Sequence, residues 1–135
     1  MTWIHEGKEF TLDPTEKYWG FVYLIHNTQT DRFYVGKKFF TKSKIRQVKG
    51  RKKKSRVDSD WQNYWGSSAT VLADVAQYGE QAFTRTILHL CRSKAECSFW
   101  ESYEIFVRKA LISRKYYNDW ISCRVRKAHL HSLLS

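Results

Sequence analysis

"GFVYLIHNTQTDRFYVGKKFF" occupies residues 20–40, and its reading decides the fold. Residues 20–26 form an apolar, β-rich run, and residues 32–36 return with the same character. Between them lies "NTQTD", where Asn and Asp tolerate tight turns and bond their own backbone. The two runs are expected to pair as antiparallel neighbours, with Tyr23 on the first strand and Tyr34 on the second. The most basic stretch of the chain follows directly: "TKSKIRQVKGRKKKSRV", residues 41–57. It has no helical or strand period and little apolar content, so a solvated basic loop is expected. Cations at this density also suit a phosphate-rich partner.

Outward from this core, "WIHEGKEF" (3–10) alternates around Glu6-Gly7 and predicts a small β-hairpin, and Pro14 breaks regular structure after it. In residues 58–83, Asp58 or Ser59 caps a short helical turn that Gly66 ends. Ser67 or Ser68 then caps a helix carrying Leu72, Val75 and Ala76 on one face, with Gly79 at its C-terminus. Trp61, Tyr64 and Trp65 read as core or a packing platform, with base stacking as the lesser alternative. "FTRTILHLC" (83–91) predicts a third strand with Ile87 and Leu88 in the core. "SKAECSFWESYEIFVRKAL" (93–111) predicts the clearest helix, with Ser93 and Glu96 as a capping box and Cys97, Trp100, Tyr103 or Glu104, and Val107 recurring on one face. Residues 119–135 read either as a strand followed by a helix or as one amphipathic helix.

The fold class is therefore α+β: a small three-stranded antiparallel sheet flanked by helices, with a short N-terminal hairpin and a basic loop insertion. The expected division is an N-terminal extension (1–18), a main domain (19–118) containing the basic insertion 41–57, and a basic C-terminal tail (119–135). The 135 residues suit one domain, and 42% hydrophobic content is enough to build a core. A net charge of +11 points to an anionic polymer or surface as partner. The three cysteines are an odd number, and "MTWIHEGKEF" lacks a charged leader followed by an apolar core. A soluble, cytoplasmic protein with free thiols is expected. His89, Cys91 and Cys97, with Cys123, His129 and His131, fit no standard zinc spacing, and buried free cysteine is the preferred reading. The sequence carries no glycine-rich phosphate loop, no H-E-x-x-H and no nucleophile elbow.

The hairpin resembles the signature of the GIY-YIG endonuclease family. Gly20-Phe21-Val22-Tyr23 stands for the first motif, one residue longer than the family name suggests, and Tyr34-Val35-Gly36 for the second. Glu101 with Ile105 fits the family's glutamate and isoleucine in a late helix, and Tyr117-Asn118 fits a Tyr-Asn pair that often ends its core. The resemblance covers about residues 19–118, and the small size is similar to that of phage-encoded freestanding members. It implies a metal-dependent endonuclease acting on DNA, double-stranded in the expected case, with host cytoplasm as its location if phage-encoded. It also implies site roles. Glu101 would hold Mg²⁺ or Mn²⁺. Tyr34 would activate water with Tyr23 as partner, although which tyrosine is the base stays open. Lys37 or Lys38 would take part directly, and Asn118 would give hydrogen-bonding support. Arg46 is assigned the arginine role, with Arg51 and Arg56 as competitors, because the helix that usually supplies it is replaced here by the basic segment. Glu96 and Glu104 are the alternatives to Glu101 if the helix face is rotated.

The chemistry is consistent with those residue types. Phosphodiester hydrolysis needs an activated water and positioned positive charge at the phosphate. A lone carboxylate can hold one hard divalent ion that keeps several waters. A tyrosine, ordinarily titrating near 10, becomes a better base where neighbouring cations favour phenolate. The expected nucleic-acid-binding residues are Lys38, Lys42, Lys44, Lys49, Arg51, Lys52, Lys53, Lys54 and Arg56. Oligomeric state is left open, a dimer on DNA being one arrangement. The rival readings are a non-catalytic nucleic-acid-binding module on the same fold, and an interaction protein that uses "WQNYWG" (61–66) as a surface.

Overall fold

The computed structural model describes residues 2–13 and 15–135, so the break expected at Pro14 lies outside the described residues. The N-terminal hairpin forms from β1 (Ile4–His5) and β2 (Lys8–Glu9), turning through Glu6 and Gly7 at positive φ. The hairpin at the heart of the chain is β3 (Gly20–Asn27) and β4 (Arg32–Phe39). Its turn is held by the buried Asn27, whose side-chain oxygen accepts from the Gln29 N–H at 3.0 Å. The basic segment follows as β5 (Thr41–Val48) and β6 (Arg51–Asp58). After a short 3-10 turn at Trp61–Asn63 come α1 (Ala69–Tyr78), β7 (Phe83–Cys91) and α2 (Lys94–Val107).

The main sheet runs β2-β1-β7-β3-β4. Its three long strands are antiparallel as expected, but the sheet is larger than the three strands predicted and is mixed. Backbone groups of β1 pair in parallel with β7, placing Ile4 opposite Thr86 and His5 opposite Ile87. Trp3 fixes this junction: it is buried, meets Phe21 edge-on at 4.9 Å between centroids, and donates its indole N–H to the Trp61 carbonyl at 2.8 Å.

Strand alternation builds two cores, one on each face of the sheet. Phe21, Tyr23, Ile25, Phe83 and Ile87 face one side, packed with Trp3, Trp61, Trp65 and Val71. Val22, Val35, Cys91 and Cys97 face the other, under α2. A bulge in the β3–β7 ladder lets Ile87 and Cys91 serve opposite faces, because Val22 pairs with His89 and Tyr23 with Ile87. Burial of Trp61 and Trp65 in the first core removes the tryptophan surface that an interaction-protein reading requires.

Helix boundaries follow their caps. The Ser68 side chain accepts from the Val71 N–H, and Gly79 ends α1 with φ 85°. The buried face of α1 centres on Val71 and the half-buried Val75, not on Leu72 and Ala76, which are exposed. The Ser93 side chain likewise accepts from the Glu96 N–H to start α2. This helix stops before left-handed Lys109, four residues short of the predicted end, and leaves Val107 exposed. The tail forms neither a strand nor a continuous amphipathic helix, only 3-10 turns over Lys127–Leu133. Among the described residues no helix is long and apolar enough to cross a membrane.

The largest correction concerns residues 41–57. They form no loop but a separate two-stranded antiparallel ribbon, β5 against β6 over eight residue pairs. The ribbon turns through Lys49 and Gly50, with φ of 51° and 75°. Two successive positive φ values are what a two-residue hairpin turn needs to match strand twist.

Candidate active site

The site begins with the register of the central hairpin. Tyr23 lies opposite Gly36, and Tyr34 lies opposite Ile25. The two tyrosines are thus diagonal neighbours on one face, with ring centroids 6.2 Å apart. Gly36 has a direct steric reason: a Cβ there would overlap the phenol oxygen of Tyr23. Gly66, at φ 91°, closes over the same pair, where a Cβ would sit 3.3 Å from the Tyr23 oxygen and 3.3 Å from the Tyr34 ring.

Strand β4 is the edge of the sheet, and the cleft wraps around that edge. On one side stands the tyrosine face. On the other, Lys37 projects toward α2, donating to the Ser98 hydroxyl at 2.8 Å and lying 3.8 Å from the Glu101 carboxylate. The open edge itself is covered by residues 115–118. Phe33 N–H donates to the Lys115 carbonyl at 2.7 Å, and Tyr117 N–H to the Phe33 carbonyl at 2.8 Å. Asn118 then continues the ladder with its side chain. It accepts from the Val35 N–H at 3.0 Å and donates to the Val35 carbonyl at 2.8 Å. One amide side chain replaces a strand partner at the point where a backbone strand would fill the cleft.

The resulting cleft has a volume of about 530 Å³. Tyr23, Tyr34, Lys37, Glu101 and Asn118 all line it. Ser67, Ser68 and Thr70 at the start of α1 form another wall, and Asp119 to Ser122 a third. Sequence reasoning missed these two walls. The capping serines were visible only as helix punctuation, and the tail residues carry no pattern that points at a cleft.

Electrostatics in the cleft run opposite to the expected tuning of the tyrosines. Burial raises Tyr23 well above its ordinary value, reinforced by the neighbouring Tyr34, Tyr64 and Glu101 and by a hydrogen bond to Tyr64. Tyr34 is also raised, first by burial and further by Glu101, with a hydrogen bond from Ser67 acting in the opposite direction. Burial raises the Glu101 carboxyl too, only partly offset by Lys37. The cleft alone therefore favours the neutral phenols, because the one lysine it contains faces the carboxylate.

The glutamate alternatives on α2 are occupied elsewhere. Glu104 bridges His89 at 3.1 Å and Arg108 at 3.2 Å, and Glu96 accepts from the Ser132 hydroxyl at 2.9 Å. Arg46 does not join the cleft. It sits on the exposed ribbon opposite Lys53, and its competitors Arg51 and Arg56 lie on the other ribbon strand. The cleft lining contains no arginine among the described residues. Lys38 shares the tyrosine face of β4 but does not line the cleft; it is paired with Asp60 at 2.7 Å and stacked 4.0 Å over the Tyr64 ring.

A divalent cation fits the donor set in one specific way. No cluster of three or more His, Cys, Asp or Glu side chains capable of holding a metal ion exists among the described residues. Glu101, four-fifths buried and facing the cleft with a single cationic neighbour, offers one carboxylate to an ion that keeps the rest of its shell as water.

No curated protein and no solved structure matches the chain. A family described as "Putative endonuclease segE, GIY-YIG domain" matches residues 3–121, which include both sheet-forming hairpins, the ribbon, both α-helices and the cleft-lining Asn118. The paired tyrosines, the glycine opposite the first of them and the glutamate across the edge strand are thus those of a chain that belongs to the GIY-YIG endonuclease family.

Proposed function

We propose that this chain hydrolyses phosphodiester bonds in double-stranded DNA at the β4 cleft, with one Mg²⁺ or Mn²⁺ ion held by Glu101. The observation that carries the reading is the meeting of both phenols, Lys37 and Glu101 in one cleft around an edge strand.

The division of labour follows from accessibility. Tyr23 lines the cleft but is 1% exposed, with Gly36 and Gly66 packed against its hydroxyl, so it presents almost no surface to a substrate. Tyr34 is half-buried and open to the cleft. Tyr34 accordingly orients the attacking water and accepts its proton, while Tyr23 holds the ring of Tyr34 in place. The water oxygen forms the new bond to phosphorus, the bond to the leaving deoxyribose oxygen breaks, and that oxygen takes a proton from solvent. Lys37 neutralises charge on the phosphate in the role expected of Arg46. The backbone N–H groups at the start of α1, beside Ser67 and Ser68, add positive potential at the same place. Glu101 would hold the divalent ion, whose positive charge, when bound, would favour the phenolate of Tyr34. Asn118 is a positioning residue, acting through Val35 on the strand that carries Tyr34 and Lys37.

The test is conversion of supercoiled plasmid to nicked or linear product. The expected result is cleavage with Mg²⁺ or Mn²⁺, arrest by EDTA, and loss of about a hundredfold or more in rate for Tyr34→Phe. Cleavage that persists in EDTA, or a Tyr34→Phe protein as fast as the parent, overturns the reading.

A further inference from the structure

Building on the assignment of DNA as substrate, we propose that the β5–β6 ribbon enters the major groove of B-form DNA and uses both of its faces there. It thereby positions the duplex beside the cleft.

The argument starts from the register. Cross-strand partners share a face, and successive residues alternate. Lys44, Arg46, Lys53, Lys42 and Arg51 therefore lie on one face, and Lys52, Lys54 and Arg56 on the other. Lys49 sits at the tip. A ribbon that packs on its own protein has one apolar face, and one that merely rests on a phosphate backbone needs cations on one face. This ribbon is cationic on both, and nearly all of its residues are exposed. Only Asp58 is acidic among residues 41–58. Anionic walls on two sides are the complement of such a shape. The two phosphate strands that border a groove supply them.

Dimensions agree. Eight residues at about 3.3 Å each span about 26 Å, with the two strands about 4.8 Å apart. The major groove of B-DNA, about 12 Å wide, admits a two-stranded ribbon without deformation, whereas the minor groove, about 6 Å wide, has to be widened at an energetic cost to take one. The chemistry also selects among nucleic acids. Residues 41–58 contain no aromatic side chain on which unpaired bases would stack, which argues against a single strand. The deep, narrow major groove of A-form RNA excludes the ribbon.

The ribbon is fixed to the site rather than tethered loosely. Only Phe40, 3% exposed, separates β4 from β5. Ser59 closes the base by donating its hydroxyl to the Phe39 carbonyl at 2.6 Å. Arg56 ties the two ribbon strands together through Thr41 and Ser43 and lies 4.6 Å over the Trp19 ring. Lys37 in the cleft precedes the ribbon by four residues, about 13 Å along an extended strand.

The experiment uses the full chain carrying Glu101→Gln, binding a 30-base-pair duplex in a salt titration. One added pair of substitutions is Arg46→Gln with Lys53→Gln, and another is Lys52→Gln with Lys54→Gln. Each pair is expected to weaken binding about tenfold and to reduce the salt slope by about 2. Methylation of guanine N7, which lies in the major groove, is expected to block binding, and the minor-groove ligand netropsin is expected to leave it intact. Single-stranded DNA and duplex RNA of the same length are expected to bind at least about tenfold more weakly. The proposal falls if only one face contributes, if netropsin displaces the protein while N7 methylation does not, or if duplex RNA binds equally well. All four side chains are exposed, so unchanged thermal unfolding separates lost binding from lost fold. Cleavage by the wild-type chain is scored independently. Cutting without ribbon dependence of binding sinks the groove proposal alone, and groove binding without cutting sinks the nuclease reading alone.

Discussion

Glu101 carries a stability cost in return for its place in the cleft. Burial raises its carboxyl above the unfolded value, so the folded chain holds that proton more tightly than the unfolded chain does. Between the two values the folded state binds more protons, and stability falls as pH rises through this window. Above the window the group is ionised in both states and the full penalty remains. Glu101→Gln is therefore expected to raise the melting temperature at neutral pH, with the difference shrinking as pH drops below the ordinary carboxyl range. Calorimetry from pH 4 to 8 checks this, and an equal or lower melting temperature at neutral pH contradicts it. The same direction of shift predicts an activity profile. At subsaturating divalent ion, where proton and ion compete for the carboxylate, cleavage should rise as pH climbs through the raised Glu101 carboxyl of the ion-free site, and Lys37→Gln should move that rise to higher pH, because Lys37 opposes the shift. Tyr34 is raised as well, so in single-turnover assays the rate should continue to climb on the alkaline side.

At the scale of elements, the hairpin was legible because β3 and β4 show apolar, β-forming runs around clear turn chemistry. Their alternation puts the two tyrosines on one face. Glu101 and Asn118 were singled out by the family resemblance, and the capped helix and the residues after it supplied only the elements that carry them; the structure places both at the cleft. The ribbon was not legible, for a physical reason. Strand recognition reads a buried face, and β5 and β6 have none. Lysine is a weak strand former, and residues 41–57 offer no periodic apolar face to read. The face of α1 was misread because Val71 and Leu72 are adjacent apolar residues, and only packing against the sheet selects Val71. Two substitutions test the element-level account. Gly36→Ala forces a Cβ into the Tyr23 hydroxyl and is expected to cost about 1–3 kcal/mol in urea unfolding, with loss of cleavage. Asn118→Ala strips both partners from the Val35 backbone and is expected to cost about 1–3 kcal/mol. A wild-type unfolding midpoint in either variant contradicts the packing described.

Across the whole molecule, the dense positive charge of the ribbon and the candidate cleft lie in two places, with strand β4 leading from one into the other. Nine of the chain's 24 lysines and arginines lie in residues 41–58, on the ribbon, while the cleft lining holds one lysine and no arginine among the described residues. This division explains why the arginine expected in the site was sought in residues 41–57: density of charge in the sequence pointed there, and only the strand register shows that this segment stands apart from the cleft. Affinity should accordingly be salt-dependent and set mainly by the ribbon, whereas turnover should depend on the cleft. The most direct measurement is single-turnover cleavage of a labelled duplex by Glu101→Gln under conditions where the protein is shown to be fully bound. Loss of about a hundredfold or more in rate, with binding kept within about twofold of wild type, is the predicted result. Cleavage at the wild-type rate by that bound variant would remove Glu101, and with it the cleft around β4, from the chemistry.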